Sequence, residues 1–125
     1  MAKIQLENIS KRWGSFVGVD NFNLVIPDKE FLVLLGPSGC GKTTTMRMIA
    51  GLEEVSEGQI SINDRIVNDL DPKDRDIAMV FQSYALYPNL NVYENIRFPL
   101  RMRKTNPIEQ KEKVLRAAEM VELTD

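Results

Sequence analysis

Histidine is absent from the 125-residue sequence, and cysteine occurs once, at Cys40. The first absence excludes a Cys/His zinc site and any triad that needs a histidine base. The second excludes an intrachain disulfide and fits a reducing compartment such as the cytosol. No uninterrupted run of about 18 apolar residues occurs, so no segment has the length of a membrane-spanning helix. Residues Met1 to Glu7 lack the apolar stretch of a signal peptide. Sixteen lysines and arginines face 18 aspartates and glutamates, a net charge of −2. That balance supplies no general basic field for nucleic acid. No internal repeat or low-complexity tract is present. What remains is 43% hydrophobic and 27% charged, the composition of a globular protein of one-domain length.

The stretch Gly36-Pro37-Ser38-Gly39-Cys40-Gly41-Lys42-Thr43 dominates this background. It fits the phosphate-binding pattern G-x-x-x-x-G-K-[ST]. Before it, Glu30-Phe31-Leu32-Val33-Leu34-Leu35 is a short apolar run of the kind buried in a parallel sheet. After it, Thr44 to Ala50 reads as helix, with Gly51 as its C-terminal stop. Strand, glycine loop and helix are the context the pattern requires. Glycines let the backbone approach a ligand and turn successive N–H groups into one concavity. The helix start adds its positive dipole end. Lys42 reaches the β- and γ-phosphates as a point charge, and the Thr43 hydroxyl holds Mg²⁺. The competing reading is a plain glycine turn before a helix capped by Ser38. Such a turn has no need of a Lys-Thr pair at this offset.

Around the loop, Ile4, Leu6 and Ile9 alternate with polar residues as in a half-buried strand, and Ser10 to Ser15 reads as a turn. Phe22, Leu24 and Ile26 mark a second strand of period two. Two antiparallel strands thus precede a parallel core. Residues 58–62 and 65–67 flank Asn63-Asp64 as a hairpin with a two-residue turn. Asp71 to Asp76 reads as a solvated mixed-charge turn. Ile77 to Phe81 is a second core-strand candidate, with Gln82 at its C-terminal end, where ligands gather in open α/β sheets. There it is a candidate for Mg²⁺ or the attacking water, or merely an amide ending a strand. Ser83 to Leu90 is apolar and interrupted by Pro88, either a partner surface or a loop packed on its own domain. Asn91 caps a helix with Glu94 at the capping-box position, and Pro99 breaks or kinks it. Asn106, Pro107 and Glu109 start a last helix, whose apolar face is Val114, Ala117, Ala118 and Val121. Trp13, the single tryptophan, is either a packing residue or a flat platform for a nucleotide base.

Taken together, these residues resemble the first third of the ATPase subunit of an ATP-binding cassette (ABC) transporter. The loop from Gly36 to Thr44 resembles that family's Walker A. Met79-Val80-Phe81-Gln82 resembles its Q-loop, some forty residues downstream. Trp13 falls where the family keeps its adenine-stacking aromatic. The run from Arg75 to Pro88 is similar to the carbohydrate-importer branch, of the maltose and glycerol-phosphate type.

The resemblance implies an α/β fold: a partial P-loop NTPase core, an N-terminal antiparallel β subdomain and the start of a helical subdomain. It implies that residues 1–125 are the N-terminal portion of such an ATP-binding domain. It assigns ATP contacts to Trp13, Gly36, Pro37, Ser38, Gly39, Cys40, Gly41, Lys42, Thr43, Thr44 and Gln82. Thr43 and Gln82 face Mg²⁺, and Lys42 and Gln82 take catalytic roles. It implies a homodimer of ATPase subunits, membrane permease subunits docked at Gln82 to Leu90, and a position on the cytoplasmic face of the cell membrane. The family's signature loop, Walker B carboxylates and switch histidine have no candidate here, so the expectation is ATP binding without turnover. Uncovered strands at 31–35 and 77–81 imply self-association. Two other readings compete: a small P-loop kinase or other NTPase, and a non-catalytic nucleotide-binding or docking module.

Overall fold

The computed structural model describes residues 2–124. They fall into two compact units, one ending at Met79 and one beginning at Val80.

The first unit is built on an antiparallel sheet. Strands β1 (Ile4–Trp13) and β2 (Phe16–Ile26) form a long hairpin, and β3 (Glu57–Ile62) pairs with the other edge of β1. A short β4 (Arg65–Ile66) completes the order β2-β1-β3-β4. The turn expected over Ser10 to Ser15 shrinks to Gly14-Ser15, because β1 continues pairing with β2 as far as Trp13 and Phe16. The β3–β4 turn at Asn63-Asp64 forms as expected. Both residues are left-handed, φ 51° and 62°, the conformation a two-residue hairpin turn demands. Leu6, Ile9, Ile60 and Ile62 of the sheet, with Val67 just past β4, pack against Met48 of helix α1 (Lys42–Ala50).

Helix α1 ends at Gly51 in the left-handed conformation, φ 79°. Its last carbonyls are met by Arg75, just after a single 3₁₀ turn at Pro72–Asp74. The Arg75 guanidinium donates to the carbonyls of Met48 (2.8 Å), Ile49 (3.1 Å), Leu70 (3.0 Å) and Asn68 (3.2 Å). The 71–76 turn is therefore not simply solvated: Arg75 is buried, and a cation at a helix C-terminus complements the negative dipole end. Gly51 leaves room for it, since a Cβ there would stand 2.7 Å from Arg75 Nε.

Two expectations fail at element level. Residues 30–35 and 77–81 form no strand. A strand needs a neighbour to bond with, and neither segment joins the unit's antiparallel sheet. Phe31 and Leu35 are each 88% exposed. Between 29–32 and 74–78 lies an apolar cavity of about 800 Å³, walled by Ile4, Ile26, Val67 and Ile77.

The second unit contains two helices. Asn91 caps α2 (Val92–Met102), its side chain accepting the Glu94 N–H at 2.9 Å, and Asn106 caps α3 (Pro107–Met120) through the Ile108 N–H. Pro99 does not stop α2, which continues for three more residues. The helix interior loses one hydrogen bond there but keeps Pro99's own carbonyl as acceptor for Arg103. Gln110 joins the two helices, accepting from Arg97 Nε at 2.8 Å. Val114 and Ala118 are buried on α3, whereas Val121 lies past its end and is exposed.

Candidate functional site

The loop from Gly36 to Gly41 ends directly in α1. Gly39 and Gly41 hold φ values of 82° and 87°, which residues with a Cβ rarely adopt. Gly36 has a different reason to be glycine: a Cβ there would stand 2.6 Å from Cys40 Sγ. The Cys40 N–H donates to Pro37 O (3.3 Å), which folds the loop on itself. The Lys42 ammonium donates to the carbonyls of Gly36 and Pro37, so its charge sits over the loop rather than in open solvent.

Helix α1 begins at the Gly41 carbonyl, which accepts both the Thr45 N–H (2.9 Å) and the Thr45 hydroxyl (2.8 Å). Its N-cap residue is Gly41, not Ser38, and no side chain caps it. No acid stands in its first turn. The N–H groups of that turn and the positive dipole end thus have no anionic side chain of their own. Thr43 is exposed beside them, and Thr44 is half-buried. A small cavity of about 150 Å³ lies against Cys40, Gly41 and Lys42, closed on the other side by Val19 and Phe22 of β2.

Trp13 ends β1 on the same unit. The residue is 43% exposed, and its ring stacks on Phe16 at 5.9 Å between centroids and has Lys11 Nζ 5.3 Å from the centroid. Lys11 is itself held by Glu53 (2.8 Å) and by the Glu54 carbonyl (2.7 Å). Trp13 and residues 36–44 thus belong to the same unit.

Gln82 belongs to the second unit, exposed at the start of a turn in which Tyr84 and Ala85 take positive φ, 63° and 51°. From there to Leu90 the chain is fixed by Asn95, whose side chain accepts from Tyr87 N–H (2.9 Å) and donates to Leu90 O (2.9 Å). Tyr87 packs on Phe98 at 4.5 Å. Tyr84 and Leu86 face outward.

Sequence reasoning passes over Gly18 and Arg75. A glycine inside a strand marks a bulge or a close backbone approach, and that signal could have flagged Gly18. Nothing in the spacing distinguishes Arg75 from its solvated neighbours. Among the described residues, no group of three or more Cys, Asp and Glu side chains is placed to hold a metal ion. No helix among them is long and apolar enough to cross a membrane.

Comparison with known proteins gives a consistent picture. Residues 19–125 match the family model described as ABC transporter. The chain is 56% identical over 121 residues to the osmoprotective compounds uptake ATP-binding protein GgtA of Synechocystis, an alignment covering 97% of this chain and 33% of that protein. It is 53% identical over 131 aligned positions to the trehalose/maltose import ATP-binding protein MalK of Thermococcus litoralis, covering 100% and 35%. The chain therefore spans about a third of the length of these curated relatives. Among solved structures, the dimeric post-hydrolysis form of the ATP-binding cassette MJ0796 bound to ADP and Pi superposes with a TM-score of 0.83 at 32% identity, over 95% of this chain and 57% of that one.

Proposed function

The chain belongs to the ABC transporter family, and on that premise we propose that it is the N-terminal, nucleotide-binding portion of an ATPase subunit that drives import of sugars or related small solutes. One observation carries the reading. The loop before α1 combines left-handed Gly39 and Gly41, a lysine folded over the loop and a helix start without any side-chain cap. That arrangement suits a polyphosphate: backbone N–H groups donate to its oxygens, and the dipole and Lys42 balance its charge.

The remaining roles follow from chemistry and family. The exposed Trp13 ring takes the adenine by stacking. Gly36, Pro37, Ser38, Gly39, Cys40, Gly41 and Thr44 line the phosphates. The exposed Thr43 hydroxyl and the Gln82 amide oxygen are hard oxygen donors suited to Mg²⁺. When bound, Mg²⁺ neutralises charge across the β- and γ-phosphates. Lys42 and Gln82 orient the reacting groups. Tyr84, Leu86 and Tyr87 offer an apolar surface to a permease subunit on the cytoplasmic face of the cell membrane. A second copy of the ATPase subunit completes the assembly.

Titration calorimetry of Mg-ATP into the 125-residue chain, with Lys42→Ala as control, tests the reading. Binding that the substitution abolishes is the expected result. Equal binding by both forms, or none by either, would overturn the assignment of the loop in this chain.

A further inference from the structure

Gly18 lies where two parts of the site meet. Along the β1–β2 hairpin, Lys11 pairs with Val19 and Arg12 pairs with Val17. Gly18 is thus an extra residue on β2 with no partner, a β-bulge. Bulges occur next to functional sites, where they re-aim a side chain. Here the Trp13 ring lies directly against the bulge. A Cβ added at Gly18 would stand 2.4 Å from the Cζ3 atom of Trp13 and 3.1 Å from its Cη2. On its other side, the Gly18 carbonyl oxygen comes within 2.7 Å of where a Cβ on Gly41 would stand. One bulged glycine therefore touches both the aromatic platform and the phosphate loop.

We propose that Gly18 is a positioning residue for nucleotide binding: it sets the seat of the Trp13 ring relative to the phosphate loop, and so the reach from base to phosphates. The proposal rests on the reading above that Trp13 carries the base and the loop carries the phosphates. Gly18 itself need not touch the nucleotide. Any side chain at this position displaces the ring, because indole is rigid and its far edge is the part in contact. Of Gly18, the phosphate loop faces only the carbonyl group, which a Cβ leaves in place. A substitution at Gly18 should thus separate base recognition from phosphate recognition.

The test compares Mg-ATP with Mg-tripolyphosphate, which lacks base and sugar, by calorimetry on wild type, Gly18→Ala, Trp13→Ala and the double variant. Trp13 is the single tryptophan, so its emission spectrum reports its environment directly. In Gly18→Ala we expect a shifted emission, about a tenfold loss of ATP affinity and no loss for tripolyphosphate, the size of one stacking interaction. In the Trp13→Ala background the same substitution should change ATP affinity by less than about twofold, since contacting residues are not additive. Equal losses for both ligands would mean that Gly18 acts on the loop, and would overturn the proposal. So would unchanged ATP affinity, or loss of the sheet signal in circular dichroism, which would make Gly18 a purely structural glycine. Failure of wild type to bind either ligand sinks the nucleotide reading itself, and is thereby distinct from failure of this proposal.

Discussion

Arg75 Nη1 donates to the carbonyl of Met48 at 2.8 Å across 27 residues of sequence, and so ties the end of α1 to the chain that leads toward Ile77. Removing the guanidinium leaves four carbonyls without this donor, one buried and three part-buried. Arg75→Ala should destabilise the first unit by about 3 kcal/mol, the range for breaking a buried charged network. Arg75→Lys should recover only part of this, because a point charge cannot serve diverging carbonyls. Burial lowers the Arg75 pKa from the ordinary arginine value, by penalising the charged form. The sign is that of a cation disfavoured by folding: stability linked to its titration would rise only as pH climbs through the lowered pKa. From about pH 5 to 9 it stays charged folded and unfolded, so the loss in Arg75→Ala should be constant across that window. Thermal melts of both proteins at several pH values check this, and a loss that varies with pH would contradict it.

Gly41→Ala should disable the phosphate loop without unfolding the sheet. The new Cβ meets the Gly18 carbonyl at 2.7 Å and Val19 Cγ2 at 3.0 Å, at a φ of 87°. A strained left-handed residue alone costs about 1–3 kcal/mol. Calorimetry should show loss of Mg-ATP binding while circular dichroism keeps its sheet signal. Retained binding would mean that the loop tolerates a different path.

Cys40 is exposed and its Sγ packs beside Gly36 in the loop. Bound ATP should shield it. The rate of alkylation by a maleimide, followed by mass spectrometry, should fall several-fold with saturating Mg-ATP. The protection should vanish in Lys42→Ala. Equal rates with and without nucleotide would argue against phosphates seated in this loop.

The apolar segment 31–35 should make the chain associate with itself. Phe31 and Leu35 are each 88% exposed, and the segment forms no ladder of its own. Unpaired apolar backbone is a template for another copy. Light scattering at ~100 µM should give masses above a monomer, within the concentration range where such surfaces associate. Phe31→Lys with Leu35→Lys should return it toward monomer. A clean monomer for wild type would remove the prediction.

Much was determined by local residue chemistry. The glycine loop, Gly51 as the stop of α1, the Asn63-Asp64 turn and the caps at Asn91 and Asn106 each depend on a few adjacent residues, and each appears where the sequence places it. Trp13 and the loop are likewise legible as separate parts. Other features depended on partners distant in sequence. The apolar runs at 30–35 and 77–81 read as strands, but strand formation requires a neighbouring ladder, which neither finds. Arg75 looks solvated until the end of α1 is laid against it. Gly18 looks like any small strand residue until the hairpin register leaves it unpaired, with the Trp13 ring on one side and Gly41 on the other. Backbone conformation and capping are settled within one turn of chain, and the sequence alone determines them. Register, burial and the approach of Trp13 and Gly41 to the same glycine are long-range, and only the tertiary structure decided them.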